Sequence, residues 1–403
     1  MDVYIARQPI FTAAKEIYGY ELLFRDSMSN VFPDIDGDVA TSRLLSNSFS
    51  TFDLDRLCAG KRMFVNFTKD LLIKEVPRLF PQDRLVVEIL EDIEPDDHVV
   101  QACQNIADAG YAMALDDFFF KPGLLPLIQL SQTIKIDFRQ TPLKTIKAFV
   151  KHLSPYSITL LAEKIETHEE FEHALEMGFT LFQGYFFCKP EILEGKDIAP
   201  NKVTLLQIVG EINRRECDLE RLAEIINRDV SVTYKLLRYI NSAYFRRGQK
   251  IQSIQHAVVM LGETEIRKFV SLVATASLAA DKPSELIRNA IIRARMCELL
   301  GTLDGLNLDK FELFLAGLFS RIDAMLDNPM EEIIDQLPLS PNVVRALTDG
   351  DGPLADVLAL IDAYETGDWD LFARVTAKLG IDDSKMPDFY LEAIGWADTY
   401  AAL

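Results

Sequence analysis

The 403-residue chain is poor in cysteine, histidine and tryptophan, with five, five and two residues respectively. Cys58, Cys103, Cys188, Cys217 and Cys297 are scattered, odd in number and without metal-type spacing. That pattern excludes a disulfide framework and reads as reduced thiols in a cytosolic protein. No run of roughly 18 apolar residues exists, so no membrane insertion is expected. The opening stretch MDVYIARQPI has no basic segment leading into an apolar one, so no signal peptide is expected. Basic charge is also short. The 42 Lys and Arg face 62 Asp and Glu, a net charge of −20. A duplex-binding protein needs a basic footprint, so nucleic acid is not an expected partner. What the chain does have is core material, 49% hydrophobic residues, enough for two or three domains.

The first half is organised around Tyr111–Phe118, YAMALDDF. Small and apolar residues lead into two adjacent carboxylates, Asp116 and Asp117. This reads as a short buried strand bounded by turn residues. Adjacent carboxylates repel, and burial adds to the cost unless a cation lies between them. A strand simply running out into solvent is the plain alternative. The pattern repeats, however. Strands are expected at Val3–Ile10, Ile17–Phe24 with Glu21, Phe64–Phe67 with Asn66, and Leu85–Leu90 with Glu88, Glu91 lying just beyond. Further strands are expected at Thr133–Phe138 with Lys135 and Asp137, at Ser157–Ala162 delivering Glu163 with Glu166 after it, and at Phe179–Phe187 with Gln183. Helical periodicity fills the gaps: residues 37–60, Asp70–Leu79, Asp97–Ala109, Leu124–Leu130, Pro142–His152 and Glu169–Met177. Thr141 is the expected N-cap of the fifth of these, with Pro142 at its first position.

About eight strands, spaced mostly 20–30 residues apart, suit crossover helices and a mainly parallel sheet. The short link between the first two implies an antiparallel hairpin. A (β/α)-barrel variant fits best, and barrels keep their chemistry at strand C-terminal ends. The polar residues there are hard oxygen donors without paired His or Cys, which favours Mg²⁺ or Mn²⁺ over Zn²⁺.

These residues resemble the EAL domain, the cyclic-di-GMP phosphodiesterase module of bacterial signalling. Glu21-Leu22-Leu23-Phe24-Arg25 is similar to its E-A-L-x-R signature, and Asn66 to its metal-site Asn. Glu88-Ile89-Leu90-Glu91 is similar to E-x-x-E, Asp116-Asp117-Phe118 to D-D-F, and Lys135-Ile136-Asp137 to K-x-D. Glu163-Lys164-Ile165-Glu166-Thr167 is similar to E-G-V-E-T with Lys164 in place of the glycine. Gln183-Gly184-Tyr185-Phe186-Phe187 and Lys189-Pro190 resemble the closing Q-G-Y-x-F and K-P.

The resemblance implies roles. Glu21, Asn66, Glu88 and Asp116 would hold one metal ion, with Asp116 and Asp117 facing a second. Lys135 would contact the attacking water or a phosphate oxygen, and Glu163, with Glu166 nearby, would take the water's proton. Arg25, and more weakly Gln8, would meet the substrate. Gln183, Glu91 and Asp137 would support the site. The run Phe119-Phe120-Lys121-Pro122-Gly123 departs from the Gly-Thr-Gly-Tyr-Ser loop that usually follows D-D-F. In the family that loop couples dimer contacts to metal binding. A homodimer is compatible with this chain, and its turnover is open.

Beyond a boundary near 197 strand patterns vanish. Residues 198–403 read as all-α, with helices at Leu205–Ile212, Leu219–Ile226, Val230–Ile240, Glu265–Ala280, Pro283–Leu300, Lys310–Leu326, Pro341–Leu347, Ala355–Tyr364, Trp369–Leu379 and Pro387–Ala402. Residues 203–330 resemble the HDOD domain, an HD-related helical module, through Leu236-Leu237-Arg238, Asn241-Ser242-Ala243-Tyr244-Phe245 and Leu261-Gly262. Ser320 and Arg321 stand where HD hydrolases place His and Asp, and His256 is the last histidine. A metal-dependent HD reaction is therefore not expected. Asn241 and Ser242 read as a helix-end pair, with a ligand site as the alternative. Trp369 and Trp396 read as core, and Asp349–Asp351 as a turn. The whole resembles an EAL–HDOD signalling protein: a cytoplasmic cyclic-di-GMP phosphodiesterase yielding pGpG, with a regulatory HDOD module and its unidentified protein partner. The alternative is a catalytically weak receptor or scaffold for the same nucleotide.

Overall fold

A computed structural model describes residues 4–25, 57–189, 261–303 and 305–401, with single positions between 202 and 213 and at 259. Residues 37–56, Asn241, Ser242, His256 and the helices expected at 219–226 and 230–240 lie outside that set. So does the expected boundary near 197.

Eight strands close into a barrel: β1 (Tyr4–Thr12), β2 (Ile17–Arg25), β3 (Arg62–Phe67), β4 (Leu85–Ile89), β5 (Ala112–Leu115), β6 (Thr133–Asp137), β7 (Thr159–Glu163) and β8 (Leu181–Gln183). β2 to β8 run parallel, and β1 is antiparallel to both neighbours, β2 and β8. The expected antiparallel hairpin is present, with Gln8 opposite Glu21. Among the described residues five helices accompany the strands: α1 (Lys69–Ile73), α2 (Asp97–Asp108), α3 (Leu125–Leu130), α4 (Leu143–Leu153) and α5 (His168–Glu176).

Strand periodicity of two places alternate side chains on one face. Ile10, Phe64, Val86, Ala114, Leu161 and Leu181 pack as one apolar cluster. Two residues further along each parallel strand come Asn66, Glu88, Asp116, Glu163 and Gln183. On β1 the polar residue, Gln8, precedes its apolar partner Ile10, because that strand runs the other way. The barrel therefore stacks a polar layer directly on an apolar one.

Three local expectations shift. The helix expected over Asp70–Leu79 breaks into α1 and a 3₁₀ turn, Val76–Leu79, because Glu75 is left-handed at φ 52° and Pro77 cannot continue the ladder. Pro142 itself, with ψ 139°, caps α4, and Thr141 lies before it without a capping bond. The long last strand is only Leu181–Gln183. It ends at Gly184, φ 144°, where a Cβ would lie 2.1 Å from the Ile165 carbonyl oxygen. A 3₁₀ turn, Tyr185–Cys188, follows.

The remaining described elements are helical: α6 (Glu263–Leu278), α7 (Ser284–Leu300), α8 (Lys310–Phe319), α9 (Ile322–Leu326), α10 (Met330–Ile334), α11 (Pro341–Thr348), α12 (Pro353–Thr366), α13 (Trp369–Leu379) and α14 (Met386–Ala401). The helix expected over Lys310–Leu326 is interrupted at Ser320 and Arg321. α7 packs along α8 and α14. Trp369 and Trp396 are buried as expected, and the Asp349–Asp351 stretch turns through left-handed Gly350 and Gly352. Grouped by compactness, Met1–Phe187 with Ala363–Trp369 form one unit, and Cys188–Asp362 with Asp370–Leu403 the other. Among the described residues no helix is long and apolar enough to cross a membrane.

Asp96 caps α2, accepting from the His98 and Val99 amides at 3.0 and 2.9 Å and from the Lys69 ammonium. Lys69 first, then the helix amides, hold its carboxyl down at about 2, from an ordinary 3.8. A depressed carboxyl stabilises the fold above its unfolded value and loses that contribution as pH falls through its folded value. Asp96→Ala is therefore expected to lower the thermal midpoint at neutral pH. Its difference from the wild type should shrink as pH drops from 3.8 towards about 2. A difference that grows on acidification would contradict this account. Calorimetry across that range is the check.

Candidate active site

Lys135 occupies the centre of the polar layer. It is fully buried, and its Nζ lies 2.7 Å from Glu88 Oε1, 2.8 Å from Asp116 Oδ1, 2.8 Å from Glu163 Oε1 and 3.3 Å from Glu21 Oε2. At these distances the ammonium is ion-paired with all four carboxylates. Four strands and the β5 exit deliver the five groups, so the cluster exists only once the barrel has closed. Four carboxylates against one ammonium leave an excess of negative charge in a place that water barely reaches. Burial first, then Glu21 and Asp116, push the Glu88 carboxyl well above its ordinary value, with Lys135 acting against them. Burial raises Glu163 in the same way, opposed by Lys135 and reinforced by Asp116 and Glu21. Burial disfavours the Lys135 ammonium, but Asp116, Glu163, Glu21 and Glu88 together outweigh it and hold that group well above the usual lysine range.

Glu21 is further oriented by two amides. Asn66 Nδ2 donates to its Oε1 at 3.1 Å, and Gln183 Nε2 to its Oε2 at 2.6 Å. Gln183 Nε2 also donates to Gln8 Oε1 at 2.9 Å. The amide oxygens Asn66 Oδ1 and Gln183 Oε1, both Glu88 oxygens and Asp117 Oδ1 are buried and lack hydrogen-bond partners. Glu88 Oε1 faces the Lys135 ammonium, but Asn66 Oδ1, Gln183 Oε1, Glu88 Oε2 and Asp117 Oδ1 are hard donors of the kind that suits a divalent cation such as Mg²⁺ or Mn²⁺. Among the described residues no three His, Cys, Asp or Glu side chains surround a shared open point, because the carboxylates draw in on Lys135. The donors fit the ion by type, and the ammonium holds their spacing.

An outer set lies beyond this cluster. Asp117, at φ 37°, and Lys164, at φ 56°, are both left-handed. Such backbone costs a side-chain-bearing residue about 1–2 kcal/mol, which explains why glycine suits position 164 in the pattern this segment resembles. Lys164 Nζ donates to Asp137 Oδ2 and lies 3.7 Å from Asp117 Oδ2. Asp137 Oδ1 accepts from the Arg139 and Gln140 amides. Burial and then Asp116 raise the Asp117 carboxyl, and Lys164 opposes them. Arg139 pairs with Glu166 and Glu170, both at 3.1 Å. The Ile165 amide donates to the Gln183 carbonyl and the Phe186 amide to that of Ile165, so the turn carrying Glu163 to Glu166 is clamped against the β8 exit.

A cleft of about 570 Å³ opens over these groups, lined by Glu21, Asn66, Asp116, Asp117, Arg139 and Glu163 among others. The structure thus brings together Gln8, Glu21, Asn66, Glu88, Asp116, Lys135, Glu163 and Gln183. Glu166 and Asp137 sit in the outer set. Glu91 is exposed, lines the same cleft, and has no hydrogen bond or ion pair among the described residues. The Arg25 side chain lies outside the described set. Sequence reasoning passed over Arg139, whose one signal was a cation directly after a strand carrying Lys135 and Asp137. It noted Lys164 only as a departure. The loop after Asp117 is held by aromatic rings. Phe118 and Phe119 pack edge-on to Phe149 of α4, and Phe120 to His152.

In the helical unit, Ser320 Oγ accepts from Arg293 Nε at 2.8 Å and donates to the Gly317 carbonyl. Arg321 and Arg293 converge on Asp362 at 2.6 and 2.7 Å. Burial acts against the Asp362 carboxyl, yet the two guanidiniums hold it below the usual range.

Family models described as EAL domain and HDOD domain match residues 54–190 and 199–332. The cyclic di-GMP phosphodiesterase CdgJ of Vibrio cholerae is 37% identical, over 98% of this chain and 92% of its own length. The uncharacterised protein YuxH of Bacillus subtilis is 36% identical, over 98% of each. A solved standalone EAL protein of Vibrio cholerae O395, in its cyclic-di-GMP-bound form, overlaps 47% of this chain and 92% of its own at 24% identity, with a TM-score of 0.36.

Removing one partner of a buried ion pair typically costs about 3–5 kcal/mol, because the other charge is left uncompensated. Lys135→Met is expected to destabilise the chelator-treated protein by about that amount in urea unfolding. Divalent ions should recover part of the loss. A variant as stable as the wild type in chelator would show that Lys135 does not hold the carboxylates.

Proposed function

The chain belongs to the family of two-domain EAL–HDOD proteins, and on that footing we propose that it is a metal-dependent phosphodiesterase hydrolysing cyclic-di-GMP to linear pGpG. The observation that carries the reading is the carboxylate layer around Lys135 at the mouth of the barrel, beneath an open cleft. Glu21, Asn66, Glu88 and Asp116 are the residues that would hold Mg²⁺ or Mn²⁺. When bound, the ion supplies Lewis-acid charge to a phosphoryl oxygen and lowers the pKa of water.

The chain's own groups do the rest. Glu163, whose basicity burial strengthens, takes the proton from the attacking water. Lys135 adds positive charge beside the attacked phosphate and opposes the rise that burial imposes on Glu163. Asn66 and Gln183 fix the Glu21 carboxylate, and Gln8 and Arg25 meet the substrate. Arg139 pairs with Glu166 at the cleft edge. Residues 1–197 supply the catalytic domain in this reading. Residues 198–403 form a regulatory module that binds a protein partner and performs no metal chemistry, consistent with Ser320 and Arg321 at the HD-type positions.

A second reading, a nucleotide receptor without turnover, is favoured by the Phe119–Gly123 loop, whose aromatics replace the usual glycines. Hydrolysis decides between them. Purified protein with Mg²⁺ or Mn²⁺ should convert cyclic-di-GMP to pGpG. Glu21→Ala should abolish this with the fold intact, and Glu163→Gln should slow it about 10²–10⁴-fold while still binding nucleotide. Tight binding without any product in the wild type would favour the receptor. Full activity in Glu21→Ala would end the metal-site assignment.

A further inference from the structure

We propose that Lys164 is a tethered cation that takes the place of a second divalent ion beside Asp117, so that this chain binds one such ion rather than two. The inference rests on the metal-dependent reading above and concerns only the ion count.

Two lysines divide the acidic groups of the site between them. Lys135 serves the inner four carboxylates, and Lys164 serves the outer pair. The Lys164 ammonium donates to Asp137 Oδ2 and lies 3.7 Å from Asp117 Oδ2. Asp137 is fully engaged, because its other oxygen accepts two backbone amides. Its carboxylate is therefore not available to a further cation without losing an existing donor.

Asp117 is the residue that a second ion would need, and the only ammonium beside it among the described residues is that of Lys164. An ion drawn to Asp117 competes with a positive charge that cannot diffuse away, and like charges at this range repel strongly. An ordinary surface ion pair is the bland alternative, since the Lys164 side chain is 49% exposed. Against it stands where the ammonium goes: from a left-handed turn at φ 56°, directly after Glu163, it reaches Asp137 Oδ2. That conformation aims the chain at an aspartate only 3% exposed. Glycine would adopt it more readily but would bring no charge.

The test counts ions. The full-length protein, stripped with chelator, is titrated with Mn²⁺ while free Mn²⁺ is followed by electron paramagnetic resonance. Wild type is compared with Lys164→Gly and Lys164→Asn, both of which tolerate left-handed backbone, and with Lys164→Arg, which keeps the charge. The expected result is one tight ion per chain in wild type and Lys164→Arg. Two are expected in Lys164→Gly and Lys164→Asn, the second bound at least tenfold more tightly than any second ion in wild type. Two equally tight ions in wild type would overturn the proposal, as would a single ion in both neutral variants. One ion in wild type and two in the neutral variants, with no hydrolysis of cyclic-di-GMP, would uphold the ion count and defeat the phosphodiesterase reading. Hydrolysis with two ions in wild type would do the reverse.

Discussion

A single buried ammonium sets the terms for the rest of the site. Lys135 sits inside the barrel with carboxylates of β2, β4 and β7 and of the β5 exit all within 3.3 Å. Taking an ammonium and four carboxylates out of water costs several kcal/mol per ion, and only close opposite charge offsets it. The arrangement holds because the barrel wall keeps the groups together. It remains acidic, because one cation cannot neutralise four anions. That residual charge is the chemical reason for expecting a divalent ion there, and it is also why burial pushes Glu88 and Glu163 upwards.

The apolar layer beneath makes this possible. Phe64, Val86, Ala114, Leu161 and Leu181 each lie two positions before a polar residue, so the same pleat that builds the core presents the chemistry. β1 keeps the rule in reverse, its Gln8 reaching Gln183 while Ile10 joins the core. Gly184 then lets the β8 exit pass so near Ile165 that no side chain could fit. The turn bearing Glu163 is thereby pinned. Stability and site geometry are two consequences of one register.

The helical unit shows the same logic with opposite charge. Ser320 and Arg321 interrupt what reads as one helix. Arg321 and Arg293 meet over Asp362, and Ser320 receives Arg293. A carboxylate flanked by two guanidiniums has its charge more than matched.

Much of this was legible from residues alone. Polar residues ending short apolar runs marked Glu21, Asn66, Glu88, Asp116, Lys135, Glu163 and Gln183. The short first connection marked the hairpin. These are local patterns of period and spacing, which a chain carries in its sequence. Element ends were less legible, since the stop of β8 at Gln183 depends on how closely Gly184 approaches a different turn. The partners of each charge were not legible at all. Lys135 is one residue among several in the string, and only barrel closure makes it the common neighbour of four carboxylates. Lys164 reads as a substitution for glycine, and only the left-handed backbone beside Asp137 turns it into a cation for the outer pair. Sequence determined which groups the site would contain. Tertiary structure decided which charges meet, because distances between strands far apart in the chain are set by the closed sheet and not by any local propensity.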